Sequence, residues 1–155
     1  MLASQVAFAR PIAGLSAAVM VLGTFLPWGS LSIVILGVRS PGLDFKGTDI
    51  GSDIGSVPWG YFMIAAGLAG AVGVARRSRL AVSAGVLGLV FAVLNLLTLN
   101  SGTPHATVSI GGETRDLNAA LAPHVTPASG SYIVLVASVA LLVASLVLRR
   151  QTPDH

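Results

Sequence analysis

Apolar residues in this chain are grouped into four long runs that polar segments separate. One run, LAVSAGVLGLVFAVLNLLTL, extends without a charge from residue 80 to residue 99. A helix needs about 20 apolar residues to cross the hydrocarbon core of a bilayer. The pattern predicts four membrane-spanning helices, at residues 8–27, 58–75, 80–99 and 131–148.

Two long polar segments, residues 28–57 and 100–130, contain signals for short strands. Leu31 to Val38 is rich in β-branched residues and too short to span as a helix, so it predicts a strand. Gly111-Gly112 is a favoured two-residue turn and predicts a β-hairpin that begins with residues 106–110. Asp116 then predicts the N-cap of a short helix at Leu117–Leu121.

These strands are expected to form a cap on one side of the membrane. Unpaired backbone groups beside the hydrocarbon cost several kcal/mol each, and a lone hairpin is marginal in water. We therefore predict that Leu31 to Val38 pairs with Ala106 to Ile110 in one small sheet. The predicted fold class is an all-α membrane protein: a four-transmembrane-helix bundle with a small extracytoplasmic β-sheet cap formed by the two long outer loops. Residues 1–155 are expected to form a single membrane domain.

Basic residues predict the orientation. Six arginines lie at one set of run ends, whereas only Arg39, Lys46 and Arg115 accompany the long polar segments. Cytoplasmic loops carry an excess of Lys and Arg, which places both termini and the short turn at residues 76–79 in the cytoplasm. The six arginines are Arg10, Arg76, Arg77, Arg79, Arg149 and Arg150.

Composition supports a membrane location. The chain is 54% hydrophobic and 10% charged, with a mean hydropathy of +0.83, whereas soluble domains carry about 25% charged residues. It contains no cysteine, which excludes disulfides and thiolate chemistry. A secretory signal peptide at the first run is the alternative for that run alone. Pro27-Trp28 follows it in place of a small-residue cleavage site, so we favour a span with Trp28 as an interfacial anchor.

The two halves of the chain follow the same order of features. Each contains an apolar run, a β-containing segment, an aromatic re-entry (aromatic residues where the chain enters the next predicted span) and a second apolar run that ends in Arg-Arg. The re-entries are Gly60-Tyr61-Phe62-Met63 and Gly130-Ser131-Tyr132-Ile133. Two spans per half would make a parallel repeat. Two unrelated helical hairpins that obey the same membrane rules would look alike, and both interpretations stay open.

Small residues recur every four positions within the runs and predict close helix–helix contacts. Asn95 is the most polar residue inside a span, and an interhelical hydrogen bond is the favoured interpretation. The candidate helix–helix contact residues are Asn95, Ala65, Ala69, Gly73, Ala84 and Gly88. Anionic lipid headgroups are the candidate ligands of the cytoplasmic arginines Arg76, Arg77, Arg79, Arg149 and Arg150.

No pattern of catalytic or metal-binding residues is present. Apart from Arg10 near the start of the first run, the four runs contain no Asp, Glu, Lys, Arg or His. They therefore do not indicate a path for ions or polar solutes. His105 and His124 are too far apart to match a zinc motif, and Asp44, Asp49 and Asp53 do not have the EF-hand spacing. We expect no enzyme activity, no cofactor, no metal and no nucleic-acid partner.

Three segments carry a resemblance to a known group of proteins. They are Leu26-Pro-Trp-Gly29, Gly47-Thr-Asp-Ile-Gly51 and Pro127-Ala-Ser-Gly-Ser-Tyr132. In these segments the chain resembles small four-span membrane proteins common in actinobacteria, mycobacteria included, and the resemblance covers nearly the whole chain. It implies a cell-envelope membrane and no particular activity. The layout is also similar to that of claudin-type proteins, but the W-G-L-W-C-C signature is absent, so that similarity is one of architecture alone.

The runs without charge and the structured loops favour a non-enzymatic integral protein of the plasma membrane, an accessory or scaffold subunit of a cell-envelope complex. Its expected partners are the lipid bilayer and either another membrane protein or further copies of itself. The alternative is a carrier or channel-like protein for a lipidic or apolar solute, which needs no charged residue along its path. A tightly packed interior favours the scaffold, and an apolar tunnel favours the carrier.

Overall fold

The computed structural model describes four helices and seven short strands. The described residues are 2–32, 34–35, 38–39, 42–48, 59–76, 79–101, 107–110, 113–116 and 124–150. The helices are α1 (Leu2–Gly23), α2 (Trp59–Ala75), α3 (Leu80–Ser101) and α4 (Ser129–Arg150). The strands are β1 (Pro27–Ser32), β2 (Val34–Ile35), β3 (Val38–Arg39), β4 (Leu43–Lys46), β5 (Thr107–Ile110), β6 (Glu113–Asp116) and β7 (His124–Pro127).

Each predicted apolar run is confirmed as a helix, with different bounds for α1. This helix begins at Leu2 because residues 2–9 contain no helix breaker, and it continues through Pro11. It ends at Gly23, four residues before the predicted end. The amides of Thr24, Phe25 and Leu26 bond to carbonyls three residues back, which tightens the last turn before Pro27.

Two of the four helices are long and apolar enough to cross a membrane, namely Leu80–Leu99 within α3 and Ser129–Arg150. The apolar parts of the other two, Phe8–Gly23 and Trp59–Ala75, are shorter. In these two helices, 33% and 39% of the apolar window is buried within the protein.

The helices pack pairwise, with α1 on α2 and α4, and α3 on the same two helices. Arg10 donates a hydrogen bond to the carbonyl of Ala75, and Gly73 lies against Ala81. These contacts bring the start of α1, the end of α2 and the start of α3 to one end. We call it the arginine end, because Arg10, Arg76, Arg79, Arg149 and Arg150 lie there. The opposite end carries the sheet and is called the sheet end.

The sheet at that end has three antiparallel strands in the order β4–β1–β7. Ser30 in the central strand faces Asp44 of β4 and Thr126 of β7. Strands β2 and β3 pair with each other, and β5 pairs with β6 as the predicted hairpin. The chain before α2 and the chain before α4 are therefore joined through one sheet.

The small sheet is confirmed, but the predicted strand pairing is wrong. Leu31 to Val38 is not one strand, and the partner of β1 in the second long segment is β7 rather than residues 106–110. The reason is loop closure. β1 begins shortly after α1 and β7 ends just before α4, and α1 and α4 pack on each other, so these two strands pair at the lowest entropic cost. Asp116 belongs to β6, and the predicted helix at 117–121 lies outside the described residues.

Proline at Ser30 is expected to disrupt the pairing of β1 with both of its neighbours, β4 and β7. A proline in a central strand removes a ladder hydrogen bond and fixes φ. We predict that Ser30→Pro lowers hydrogen-exchange protection in β4 and in β7. The control is Leu43→Pro, which lies on the β4 edge and should loosen β4 alone. Unchanged protection of β7 in Ser30→Pro would contradict this pairing.

Candidate functional site

The indole of Trp28 is the largest fully buried side chain at the sheet end. Its exposed fraction is 1%, and its ring nitrogen donates a 2.9 Å hydrogen bond to the carbonyl of Gly23. A Cβ at Gly47 would lie 2.5 Å from the ring atom Cε2, and a Cβ at Gly130 would lie 2.8 Å from Cδ1. Any larger residue at these two positions would displace the ring. The interpretation of Trp28 as an interfacial anchor is therefore wrong.

A chain of buried hydrogen bonds connects α3, α4 and β1 beside this ring. Asn95 donates from Nδ2 to Oγ of Ser131 over 3.3 Å, and Ser131 donates from Oγ to the carbonyl of Trp28 over 2.7 Å. The amide of Ala128 donates to the same carbonyl. Asn95 and Ser131 are both 2% exposed. We call Trp28, Asn95 and Ser131 the polar junction.

The polar junction is suited to holding elements together rather than to catalysis. A serine nucleophile needs an adjacent base that accepts its proton, but Ser131 donates to a carbonyl and its other neighbour is an amide donor. Among the described residues, no three His, Asp or Glu side chains form a group that would hold a metal ion. His124 begins β7, and His105 lies outside the described residues.

Four of the candidate contact residues lie at helix interfaces. Asn95 joins α3 to α4, and Gly73 lies against the backbone of Ala81. Ala84 is buried beside Gly70, where an added Cβ would lie 3.5 Å from the Ala84 Cβ. Gly88 contacts Met20 of α1, and an added Cβ would lie 3.0 Å from Oγ of Ser138 in α4.

Ala65 and Ala69 lie on the exposed face of α2 instead. A strict spacing of four drifts around a helix with 3.6 residues per turn, whereas the buried stripe alternates steps of three and four. That stripe consists of Gly60, Met63, Ala66, Gly67, Gly70, Gly73 and Val74.

The arginine end presents its charged groups outward. Arg76, Arg79, Arg149 and Arg150 are exposed, as is Arg10, whose Nη2 donates to the Ala75 carbonyl over 3.4 Å. This bond satisfies a carbonyl at the end of α2 and places a cation at the negative end of the helix dipole. Arg77 lies outside the described residues.

Comparisons with protein-family models, characterised proteins and solved structures gave no match to the chain. Sequence reasoning did not find the roles of Trp28 and Ser131. A usable signal was present for Ser131, because an asparagine in an apolar helix needs a polar partner and Ser131 starts the next run at a similar depth.

Ser131→Ala should destabilise the protein, because it removes both hydrogen bonds of the Ser131 hydroxyl and leaves the Asn95 amide without this acceptor. A buried donor without a partner costs about 1–3 kcal/mol. The matched control is Ser145→Ala on the same helix, because Oγ of Ser145 is buried without a hydrogen bond and its removal should cost little. Thermal unfolding in detergent measures both variants. Equal losses of stability would contradict the assigned role of Ser131.

Proposed function

We propose that all four helices cross a bilayer and that the chain is a multi-pass protein of the plasma membrane. The observation that carries this proposal is the distribution of side-chain size. Leu15 is 68% exposed and Val136 is 66% exposed, while the buried positions between helices are mainly glycine, alanine and serine. Water-soluble monomers rarely expose contiguous apolar patches above a few hundred Å². Lipid tails are the solvent that suits large apolar side chains on all four helices.

Helix length and end composition support four spans. With 17 residues, α2 is at the short end of the range for a spanning helix. Trp59, Phe62 and Phe91 form a cluster of mutually tilted rings near the sheet end, with ring centroids 5.3 to 6.4 Å apart across the three pairs. Aromatic residues are enriched at membrane–water interfaces, and the arginines lie at the opposite end. Among the described residues for which burial is defined, every ionisable side chain is exposed.

The charge distribution supports an orientation with both termini and the arginine end in the cytoplasm. In that orientation the exposed arginines lie at headgroup depth on the leaflet that carries anionic lipids. Each such residue contributes about 1 kcal/mol of attraction to anionic headgroups. Arg76, Arg79, Arg149 and Arg150 are the contact residues that this proposal uses.

Within this membrane, we assign the chain a non-enzymatic role as an accessory or scaffold subunit of a cell-envelope complex. The support is a filled interior, in which Met20, Met63 and Leu141 are fully buried between the helices. A Cβ at Gly70 would lie 2.8 Å from Cδ2 of Leu141 and 3.7 Å from the Ala17 Cβ, which leaves no room there for a passing solute. This packing favours the scaffold over the carrier for an apolar solute.

Single cysteines test the orientation on a background that has no native cysteine. Leu43→Cys, at an exposed position of β4, should react with an impermeant maleimide on intact cells. Ser78→Cys, between Arg76 and Arg79 in the chain, should react only after the cells are permeabilised. Labelling of Ser78→Cys from outside would refute the orientation.

The scaffold role predicts a stoichiometric partner. Purification in a mild detergent after gentle cross-linking, followed by mass spectrometry, should recover the chain with one membrane protein at a constant ratio. Denaturing detergent before cross-linking is the control and should abolish the association. Recovery as a lone monomer under the mild conditions would contradict the scaffold role, and recovery with a bound lipid alone would favour the carrier.

A further inference from the structure

The buried positions of α2 recur in α4 at a constant spacing. Adding 71 to the residue number of each of the seven buried positions of α2 gives a buried position of α4. Met63 thus corresponds to Val134, Gly67 to Ser138 and Gly70 to Leu141. The two helices turn equivalent stripes toward the interior.

Helices α1 and α3 are related in the same way with a spacing of 68. The buried positions Ala13, Ser16, Ala17 and Met20 of α1, and Thr24 in the turn that follows it, correspond to Ala81, Ala84, Gly85, Gly88 and Ala92, all of which are buried. Two departures lie near the sheet end, where the buried Gly23 corresponds to the half-buried Phe91 and the half-buried Pro27 corresponds to the buried Asn95.

Contacts between helices repeat under the same two spacings. A Cβ at Gly67 in α2 would lie 3.4 Å from the Cβ of Met20 in α1. The equivalent pair in the second half is Ser138 in α4 and Gly88 in α3, and there the corresponding distance is 3.5 Å. Burial alone would repeat in any two helices with a seven-residue pattern. The matching contact therefore establishes which residues of the two halves correspond to each other.

The other interface gives the same register. Gly73 of α2 lies against Ala81 of α3, and these positions correspond to Ala144 of α4 and Ala13 of α1. Gly23 of α1 faces Val134 of α4. Helices α1 and α4 are antiparallel, so moving ten residues back from Gly23 on α1 and ten residues forward from Val134 on α4 follows both helices in the same direction. These steps reach Ala13 and Ala144, which are both buried.

Two pairs of equivalent positions contact each other directly. Met20 contacts its own counterpart Gly88, and Gly70 contacts its counterpart Leu141. Equivalent positions can meet only on the symmetry axis that relates them. In both pairs a large side chain faces a glycine, because two large side chains would collide on the axis.

We propose that the chain contains two structurally equivalent two-helix units, one formed by α1 and α2 and the other by α3 and α4, that pack about a pseudo-two-fold axis between the four helices. The surface between the units is self-complementary, as in a symmetric dimer, so the partner that each unit fits is a second copy of the same unit. The polar junction breaks this symmetry, since Pro27 and Gly60 occupy the positions equivalent to Asn95 and Ser131. This inference does not depend on a bilayer.

Exchange of residues across the axis tests the symmetry in the full-length chain. Gly88→Met alone should lower the melting temperature, because two methionines then meet on the axis. The double variant Met20→Gly/Gly88→Met should regain most of that loss, since equivalent positions have equivalent surroundings. The control exchange, Gly23→Val/Val134→Gly, involves facing residues that are not counterparts and should stay as unstable as its worse single variant. Lack of recovery in the first exchange, or equal recovery in both, would overturn the proposal.

A distance measurement tests the pseudo-two-fold arrangement even if the exchange variants do not fold. Spin labels at Leu22→Cys/Val143→Cys and at Val90→Cys/Val72→Cys occupy equivalent exposed positions on the two units. The two doubly labelled proteins should give the same mean distance within the widths of their distributions. Mean distances that differ by more than those widths would overturn the pseudo-two-fold arrangement.

Discussion

Close approach of the four helix backbones is the constraint on which the rest of this structure depends. Gly73 lies against Ala81, and Gly85 lies where a Cβ would be 2.9 Å from the backbone of Leu142. Such contacts leave room between helices mainly for glycine, alanine and serine, with Met20, Met63 and Leu141 filling the remaining space. The large apolar residues must then face outward. The packing itself thus creates the surface of large apolar side chains on which the proposed membrane location rests.

The sheet end shows how the same packing positions the polar groups. Because α1 and α4 lie side by side, β1 and β7, which adjoin these two helices in the chain, pair with each other, and β1 carries Trp28 into the interior. Glycines at positions 47 and 130 make space for the indole, and Ser131 accepts a bond from Asn95 while it donates to the Trp28 carbonyl. One buried junction therefore connects two helices and the central strand without a disulfide.

The two ends of the molecule differ in what they offer to other molecules. The arginine end is an exposed cationic surface, whereas the sheet end presents aromatic side chains and strands from both long segments. Every charged side chain whose burial the structure defines is exposed. This arrangement is the physical basis on which we propose a scaffold role in a membrane complex. The pseudo-symmetric packing of the two units explains how so short a chain fills its interior.

The sequence alone determined the four helices, because long apolar runs and the arginines at their ends are local signals. It also indicated strands in both long segments and a polar contact at Asn95. It did not determine which strands pair, since that depends on which helix ends are neighbours. Nor could it choose between the stripes of small residues on α2, because Ala65 and Ala66 differ by one position and only the adjacent helices decide which of them is covered. The burial of Trp28 was decided by tertiary structure as well, because the glycines that admit its ring come from distant parts of the chain.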